Sequence, residues 1–267
     1  MNRFFYALFT VLVLASCSPY QKALKSEDVA TKYAVATEMY EAGKYTKAIR
    51  LFEQIAPSFR GKPQAEKLFY MFAQSYYKTN QNYLSGYQFE SFASSYPRSE
   101  KIEEALFLSA ESYSKLSPRY SLEQGDTYKA IDKMQTFIDR FPNSEYLPQA
   151  NEITKNLREK LEKKAFEIAR QYHTTGGWTR DYGAAIKALD NFIIEYPGTP
   201  FKEAALYYKF DSAYLLAVNS VENKKKERLE FAKSSYDNLI KFAPTTGYKK
   251  EVDNKLEEIT KELQKYN

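Results

Sequence analysis

This chain of 267 residues holds one cysteine, one histidine and one tryptophan. A single cysteine leaves no intrachain disulfide, and one histidine with one cysteine supplies no zinc ligand set. No Gly-x-Ser-x-Gly elbow and no phosphate-binding loop occurs, so the common hydrolase and nucleotide-binding signatures are missing. A serine–histidine–acid triad needs no sequence motif, but His173, beside Tyr172 and Thr174-Thr175-Gly176-Gly177, reads as a corner residue in a turn. Beyond the first fifteen residues no apolar run approaches the length needed to cross a bilayer. Charge is mild: 39 basic against 34 acidic residues leave a net +5. With the two signs interleaved, that describes no nucleic-acid surface. The densest run, Lys224-Lys225-Lys226, reads as a solvated tip between two helices. Metal, cofactor and catalytic centre are all absent from this reading.

What the chain has is aromatic residues, 24 Tyr and 18 Phe, in a composition 43% hydrophobic and 27% charged. That suffices for a buried core and excludes a disordered polymer. The aromatics recur in a pattern. A small residue, two bulky ones and a proline keep offsets of 0, 4, 7 and 12 in Ser85, Phe89, Phe92, Pro97, and again in Ala130, Met134, Phe137, Pro142. The same spacing returns in Ala185, Leu189, Phe192, Pro197 and in Ala232, Tyr236, Leu239, Pro244. Ala48, Phe52 and Ile55 begin a first copy that lacks the proline. Offsets of three and four place side chains on one helical face, and proline stops a helix at the residue before it. Thr199-Pro200 then offers a capping oxygen and a first-position proline for the next helix. Upstream of each copy a partner helix aligns, with Ala36, Ala73 and Ala110 each 37 residues apart and each followed three residues on by Met39, Tyr76 and Tyr113.

The fold expected is therefore all-α: a superhelical array of about five tetratricopeptide-like helix pairs with a C-terminal capping helix. The pairs fall at about 29–62, 65–97, 102–142, 151–197 and 202–244. Extra polar turn residues are expected at 117–127, 173–180 and 220–228, and the cap from Tyr248 carries Val252, Leu256, Ile259, Leu263 and Tyr266 on one face. The first helices of a tetratricopeptide array line a groove. Here those positions are Tyr33, Thr37, Tyr40 and Glu41, then Tyr70, Gln74, Tyr77 and Lys78, then Phe107, Glu111, Ser114 and Lys115. An aromatic groove with scattered polar groups suits an extended peptide with aromatic residues.

The start of the chain is of another kind. Arg3 precedes an apolar run from Phe4 to Ala15 that ends in Leu14-Ala15-Ser16-Cys17, which resembles a bacterial lipoprotein signal. The expectation is a cleaved signal over 1–16, lipid on Cys17 and a tether over 17–28. Ser18, in place of the aspartate that retains many lipoproteins at the inner membrane, points to the outer one. With the signal, the five pairs and their insertions, the chain resembles the BamD (ComL, YfiO) family of the outer-membrane β-barrel assembly machine. Glu41-Ala42-Gly43-Lys44-Tyr45-Thr46-Lys47-Ala48-Ile49, Phe141-Pro142-Asn143-Ser144-Glu145-Tyr146 and Gly177-Trp178 followed by Tyr196-Pro197-Gly198-Thr199 carry the resemblance. It implies a non-enzymatic scaffold held by lipid on the periplasmic face of the outer membrane. Its partners would be a BamA-type barrel protein, the other assembly-machine subunits and unfolded outer-membrane β-barrel substrates. It further implies that the late repeats, with Trp178 and Lys187, meet BamA while the early groove receives substrate. Lys187 stands where an arginine would be expected, keeping charge without bidentate geometry. The alternative is a different lipid-anchored adaptor, organising a cell-wall or glycan-uptake complex.

Overall fold

Each proline of the repeated motif lies two residues beyond a helix end. Tyr96, Phe141, Tyr196 and Ala243 cap those ends, each amide donating to the carbonyl four residues back at 2.8–3.0 Å. The following Pro97, Pro142, Pro197 and Pro244 then disfavour helical geometry at the capping residue. The computed structural model describes residues 19–179 and 181–266, so Cys17 and the signal expected over 1–16 lie outside the described residues. Among the described residues twelve α-helices and a final 3₁₀ turn occur, and no strand. They are α1 (Pro19–Lys25), α2 (Val29–Glu41), α3 (Tyr45–Phe59), α4 (Ala65–Lys78), α5 (Asn82–Ser95), α6 (Ile102–Ser114), α7 (Gly125–Arg140), α8 (Leu147–Thr179), α9 (Gly183–Glu195), α10 (Lys202–Val218), α11 (Glu222–Phe242) and α12 (Lys249–Leu263). Helices α2 to α11 make five consecutive pairs and α12 follows as the cap, the all-α tetratricopeptide-like array the sequence predicts.

The register holds at the level of packing. Ala48, Ser85, Ala130, Ala185 and Ala232 are all fully buried, as are Phe52, Phe89, Met134 and Leu189 at the +4 position. Small residues at these crossings let helix axes approach closely, and the bulky neighbours fill the space on either side. On the first helices Ala36, Ala73 and Ala110 are likewise buried. Tyr76 and Tyr113, three residues after two of these alanines, bury their rings and place each hydroxyl on a glutamate of the preceding helix. Tyr76 donates to Glu53 at 2.8 Å and Tyr113 to Glu90 at 3.1 Å. Within the first two pairs the connecting turn needs a left-handed residue: Gly43 (φ 70°) in one and Asn80 (φ 57°) in the other. Glycine takes that conformation freely and asparagine tolerates it.

The chain divides into two units, residues up to 118 with 124–157, and residues 119–123 with 158 onward. In the first, one core joins α1 to α4 around Leu51, Phe52, Ile55 and Leu68, and another joins α4 to α8 around Phe89, Phe92, Phe107, Met134 and Phe137. In the second, Phe166, Leu189 and Phe192 pack between α8, α9 and α10, and Phe210, Leu229, Leu239, Val252 and Ile259 join α10, α11 and the cap.

Four expectations are corrected. Residues 19–25, expected within a tether, form α1 and are packed, with Tyr20 at 6% exposure and Ala23 at 0%. The Lys224-Lys225-Lys226 run and the insertion around it are no loop tip: α11 begins at Glu222, because 222–228 holds neither glycine nor proline and is rich in helix formers. Residues 173–179 are helical too, the end of α8. Two consecutive glycines should weaken a helix there, and tertiary contacts described below offset that cost. Of the three insertions, 117–124 alone stays irregular before α7 starts at Gly125. Finally, Thr199-Pro200 does not begin the next helix, which starts at Lys202.

That last difference repeats and has one cause. Ser99, Ser144, Thr199 and Thr246 each donate their amide to the pre-proline carbonyl and accept from the amide two residues on, at 3.0–3.3 Å. The side-chain oxygen thus closes a small extra turn before the helix proper, a local bond typical of serine and threonine. Ser99 and Thr246 also donate to Glu66 and Glu203, each at 2.6 Å and each in the first turn of the preceding first helix. Ala185→Trp should overpack the α9 crossing and lower stability by about 1–3 kcal/mol. The shift of the urea midpoint measures it, and an unchanged midpoint would contradict the close crossing.

Candidate functional site

The residue after that extra turn decides what the groove positions can do. Two positions beyond the serine or threonine stand Lys101, Tyr146, Phe201 and Tyr248, and each lies on an aromatic ring of the preceding first helix. Tyr146 stacks on Phe107 at 4.6 Å, Phe201 on Phe166 at 5.4 Å and Tyr248 on Tyr207 at 3.8 Å, all within 13° of parallel. Lys101 takes the same place over Tyr70, its ammonium 5.5 Å from the ring centre. Such contacts contribute about 0.5–1.5 kcal/mol beyond area burial. Phe107 is therefore not a groove contact: it is 2% exposed, wedged between Tyr146 and Phe137. Gln74, at 7%, is also withdrawn, its side-chain N–H donating to the Tyr70 hydroxyl at 2.9 Å and to Glu104 at 3.3 Å.

The remaining predicted positions of the first unit line up as partly exposed groups with partners. Tyr33 stacks on Phe59 at 4.9 Å, and Tyr40 meets Tyr45 edge-on at 5.7 Å. Tyr77 donates to Glu111 at 2.7 Å, and Lys115 lies 4.3 Å above its ring while pairing with Glu111 at 3.2 Å. Lys78 is exposed and 5.9 Å from the same ring. Burial, with the neighbouring Glu111, raises the Tyr77 hydroxyl above the ordinary phenol value; burial does the same to Tyr40. Both stay protonated at neutral pH and can donate. This face offers hydroxyl donors, two carboxylates (Glu104 and Glu111) and three ammonium groups on half-buried aromatic rings.

In the second unit a polar cluster escaped the sequence reading. Tyr207 donates to Glu251 at 2.8 Å, Lys255 pairs with Asp211 at 2.6 Å and also with Glu251, and Tyr214 donates to Glu258. Except for Lys255 with Glu251 on one helix, these partners lie 44 residues apart, from the first helix of the last pair to the cap, and that recurring separation is the signal that could have found them. His173 joins the cluster, with Nδ1 2.9 Å from Ser212 Oγ and Nε2 3.3 Å from Asp211. Serine, histidine and aspartate thus meet, but Ser212 is fully buried and its hydroxyl donates to the Tyr208 carbonyl at 2.7 Å. No substrate carbonyl can reach it. Among the described residues no group of three or more side chains could hold a metal ion.

The same contacts explain the helical Gly176-Gly177. A Cβ on Gly176 would stand 2.7 Å from the Tyr182 ring, so glycine is what lets Tyr182 pack there, with His173 at 6.0 Å on its other flank. The expected Gly-Trp corner is thereby corrected to a helix end just after it. Trp178 on the last turn is 90% exposed, the most open large apolar side chain among those described, and Lys187 on α9 is exposed.

Burial pushes the His173 ring below the ordinary histidine value of 6.5; Asp211 pulls it up, while Lys255 and Arg170 push it down. With the folded value below the unfolded one, the contribution to stability is whole above about pH 6.5 and fades as pH falls, because the unfolded chain takes the proton first. The urea midpoint of the native protein should drop between about pH 7.5 and about pH 5.5, and His173→Gln should flatten that slope. Parallel slopes in the two proteins would show that His173 does not carry the pH dependence.

With the geometry in place, the comparisons are few. A family model described as YfiO, outer membrane lipoprotein, matches residues 25–180 and 178–267. Among the curated proteins there is no significant match. Two solved structures of the nearly identical TPR-like repeats of a Podosopora anserina putative kinesin light chain, one of them a single-residue variant, are similar at 12% and 13% identity. Each covers 82% of this chain and 96% of its own, with a TM-score of 0.32. That score carries no weight for the arrangement of the pairs, and the fold assignment rests on the helices themselves. No described helix is long and apolar enough to cross a membrane.

Proposed function

The chain belongs to the YfiO family of outer membrane lipoproteins, and on that basis we propose that it is a non-enzymatic scaffold subunit of the outer-membrane β-barrel assembly machine. Lipid on Cys17 holds it to the periplasmic face of the outer membrane. It binds the periplasmic domains of a BamA-type barrel protein and receives unfolded β-barrel chains. Family membership over residues 25–267 carries this reading. Two features of the chain support it. The first-helix face of the first unit offers Tyr33, Tyr40, Tyr70, Tyr77 and Lys78 as rings and charges for a peptide rich in aromatics. In the second unit Trp178 and Lys187 are open, and tryptophan is among the residues enriched as interface anchors. Gln74 supports Tyr70 from below, and Phe107 has no contact role.

Capture of the native lipoprotein from solubilised envelopes tests the reading first: BamA should be the dominant partner, and a cell-wall enzyme or glycan transporter in its place would overturn it. Purified components divide the roles. Because Trp178 is the sole tryptophan, its emission should shift to shorter wavelength when BamA periplasmic domains bind. Trp178→Ala or Lys187→Glu should weaken that binding and leave capture of a C-terminal barrel-strand peptide intact. Tyr40→Ala with Tyr77→Ala should weaken the peptide by about 1–2 kcal/mol for each anchor lost and spare BamA. Loss of BamA binding with peptide binding untouched in the tyrosine variant would reverse the assignment.

A further inference from the structure

The packed α1 has a consequence for the membrane itself. We propose that α1 and the first half of α3 form a basic docking surface for anionic phospholipid headgroups at the bilayer that carries the lipid anchor. The proposal rests on Cys17 being that anchor. Pro19 follows Cys17 by two residues, a reach of at most about 7 Å at the extended-chain limit. That is shorter than the screening length of about 8 Å at physiological ionic strength. Helix α1 cannot drift from such an anchor, because Tyr20 and Ala23 are buried against α2 and α3. The start of α1 therefore lies within the field of the lipid headgroups, and the charge that α1 and the helix packed on it expose follows directly after it.

Within the two segments themselves that charge is of one sign. Helix α1 exposes Lys22 and Lys25 and contains no acid. On the segment that packs beside it, Lys44, Lys47 and Arg50 are exposed, and no acid occurs between Lys44 and Phe52. Lys47 ties the two segments together, its ammonium 5.2 Å from the centre of the Tyr20 ring. None of these five cations enters an ion pair among the described residues, whereas Lys101, Lys115, Lys133, Lys209, Lys249 and Lys255 elsewhere do. The neighbouring carboxylates are partly committed. Asp28 accepts from the amides of Ala30 and Thr31 at 3.2 and 2.9 Å and Glu53 accepts from Tyr76, while Glu27 beside Lys25 and Glu41 before Lys44 are exposed. Unpaired cations on a surface held against a bilayer attract anionic lipid, each adding to the attraction.

The test uses the full lipoprotein, purified in detergent and reconstituted into vesicles of neutral phosphatidylcholine or of phosphatidylcholine with phosphatidylglycerol. Acylation of lysines by a water-soluble reagent, read by mass spectrometry, should fall severalfold at Lys22, Lys25 and Lys47 on the anionic vesicles only. The protection should vanish at 1 M salt, where the screening length is about 3 Å. Lys250 and Lys261, exposed on α12, serve as the internal reference. Lys47→Gln with Arg50→Gln, both exposed and on a helix whose core face is unchanged, should also reduce the protection of Lys22 and Lys25. Equal labelling on both vesicles, in protein whose mature N-terminus carries the lipid mass, would overturn the docking surface and leave the anchor standing. Absence of the lipid mass would overturn the anchor and the docking surface with it.

Discussion

The structure depends on how the seam between one helix pair and the next is filled. A pair cannot bury both of its faces alone, so each seam must be closed by its neighbour. Here closure uses one short stretch: a proline stops the second helix, a serine or threonine makes an extra turn, and the residue two positions on lands on an aromatic of the preceding first helix. Tyr146 on Phe107, Phe201 on Phe166 and Tyr248 on Tyr207 are the same contact three times, with Lys101 over Tyr70 as its charged version. The bond from Ser99 to Glu66, and from Thr246 to Glu203, pins the turn to the same neighbour. Sequence, turn and packing are one device, and it gives part of the aromatic content a structural use.

The device also shows what could be read in advance. The offsets of 0, 4, 7 and 12 predicted the buried set, since a helix period converts directly into a face. Ala185 and Leu189 stand at those positions and are fully buried. Tertiary contacts were harder to foresee. Local propensity argued for a turn at Thr174-Thr175-Gly176-Gly177, and the helix runs on because Tyr182 occupies the space that Gly176 leaves open. Likewise Phe107 and Tyr70 occupy equivalent positions in a generic repeat, yet Phe107 lies under Tyr146 and Tyr70 stays half open under a lysine. What covers each depends on the first residue of the next pair, a repeat downstream and outside any window of helical periodicity.

One consequence concerns chemistry. Several polar side chains near the first-helix faces already bond to a partner one repeat away, as in Tyr77 with Glu111 and Asp211 with Lys255. Nucleophile, base and acid do meet at Ser212, His173 and Asp211, but the serine proton is held by a backbone carbonyl and Ser212 is fully buried. Groups so committed fasten helices to one another. The arrangement spends these donors and acceptors on internal order.

The same commitment bears on how the first-helix face of the first unit would hold a chain. Tyr77 and Lys115 are satisfied by Glu111 in the free protein, so a peptide that takes these donors must leave Glu111 another partner or keep the existing bonds and add to them. Exchanging one hydrogen bond for another contributes little net free energy, whereas stranding a carboxylate costs about 1–3 kcal/mol or more. Affinity on such a face must then come from rings, by apolar contact with Tyr33, Tyr40 and Tyr77, while the carboxylates and ammonium groups discriminate against peptides whose charges cannot be accommodated. If it holds a chain as proposed, a face built this way would hold an apolar, aromatic one loosely and reject a highly charged one. On the function proposed above, that balance suits a protein that must pass its cargo on.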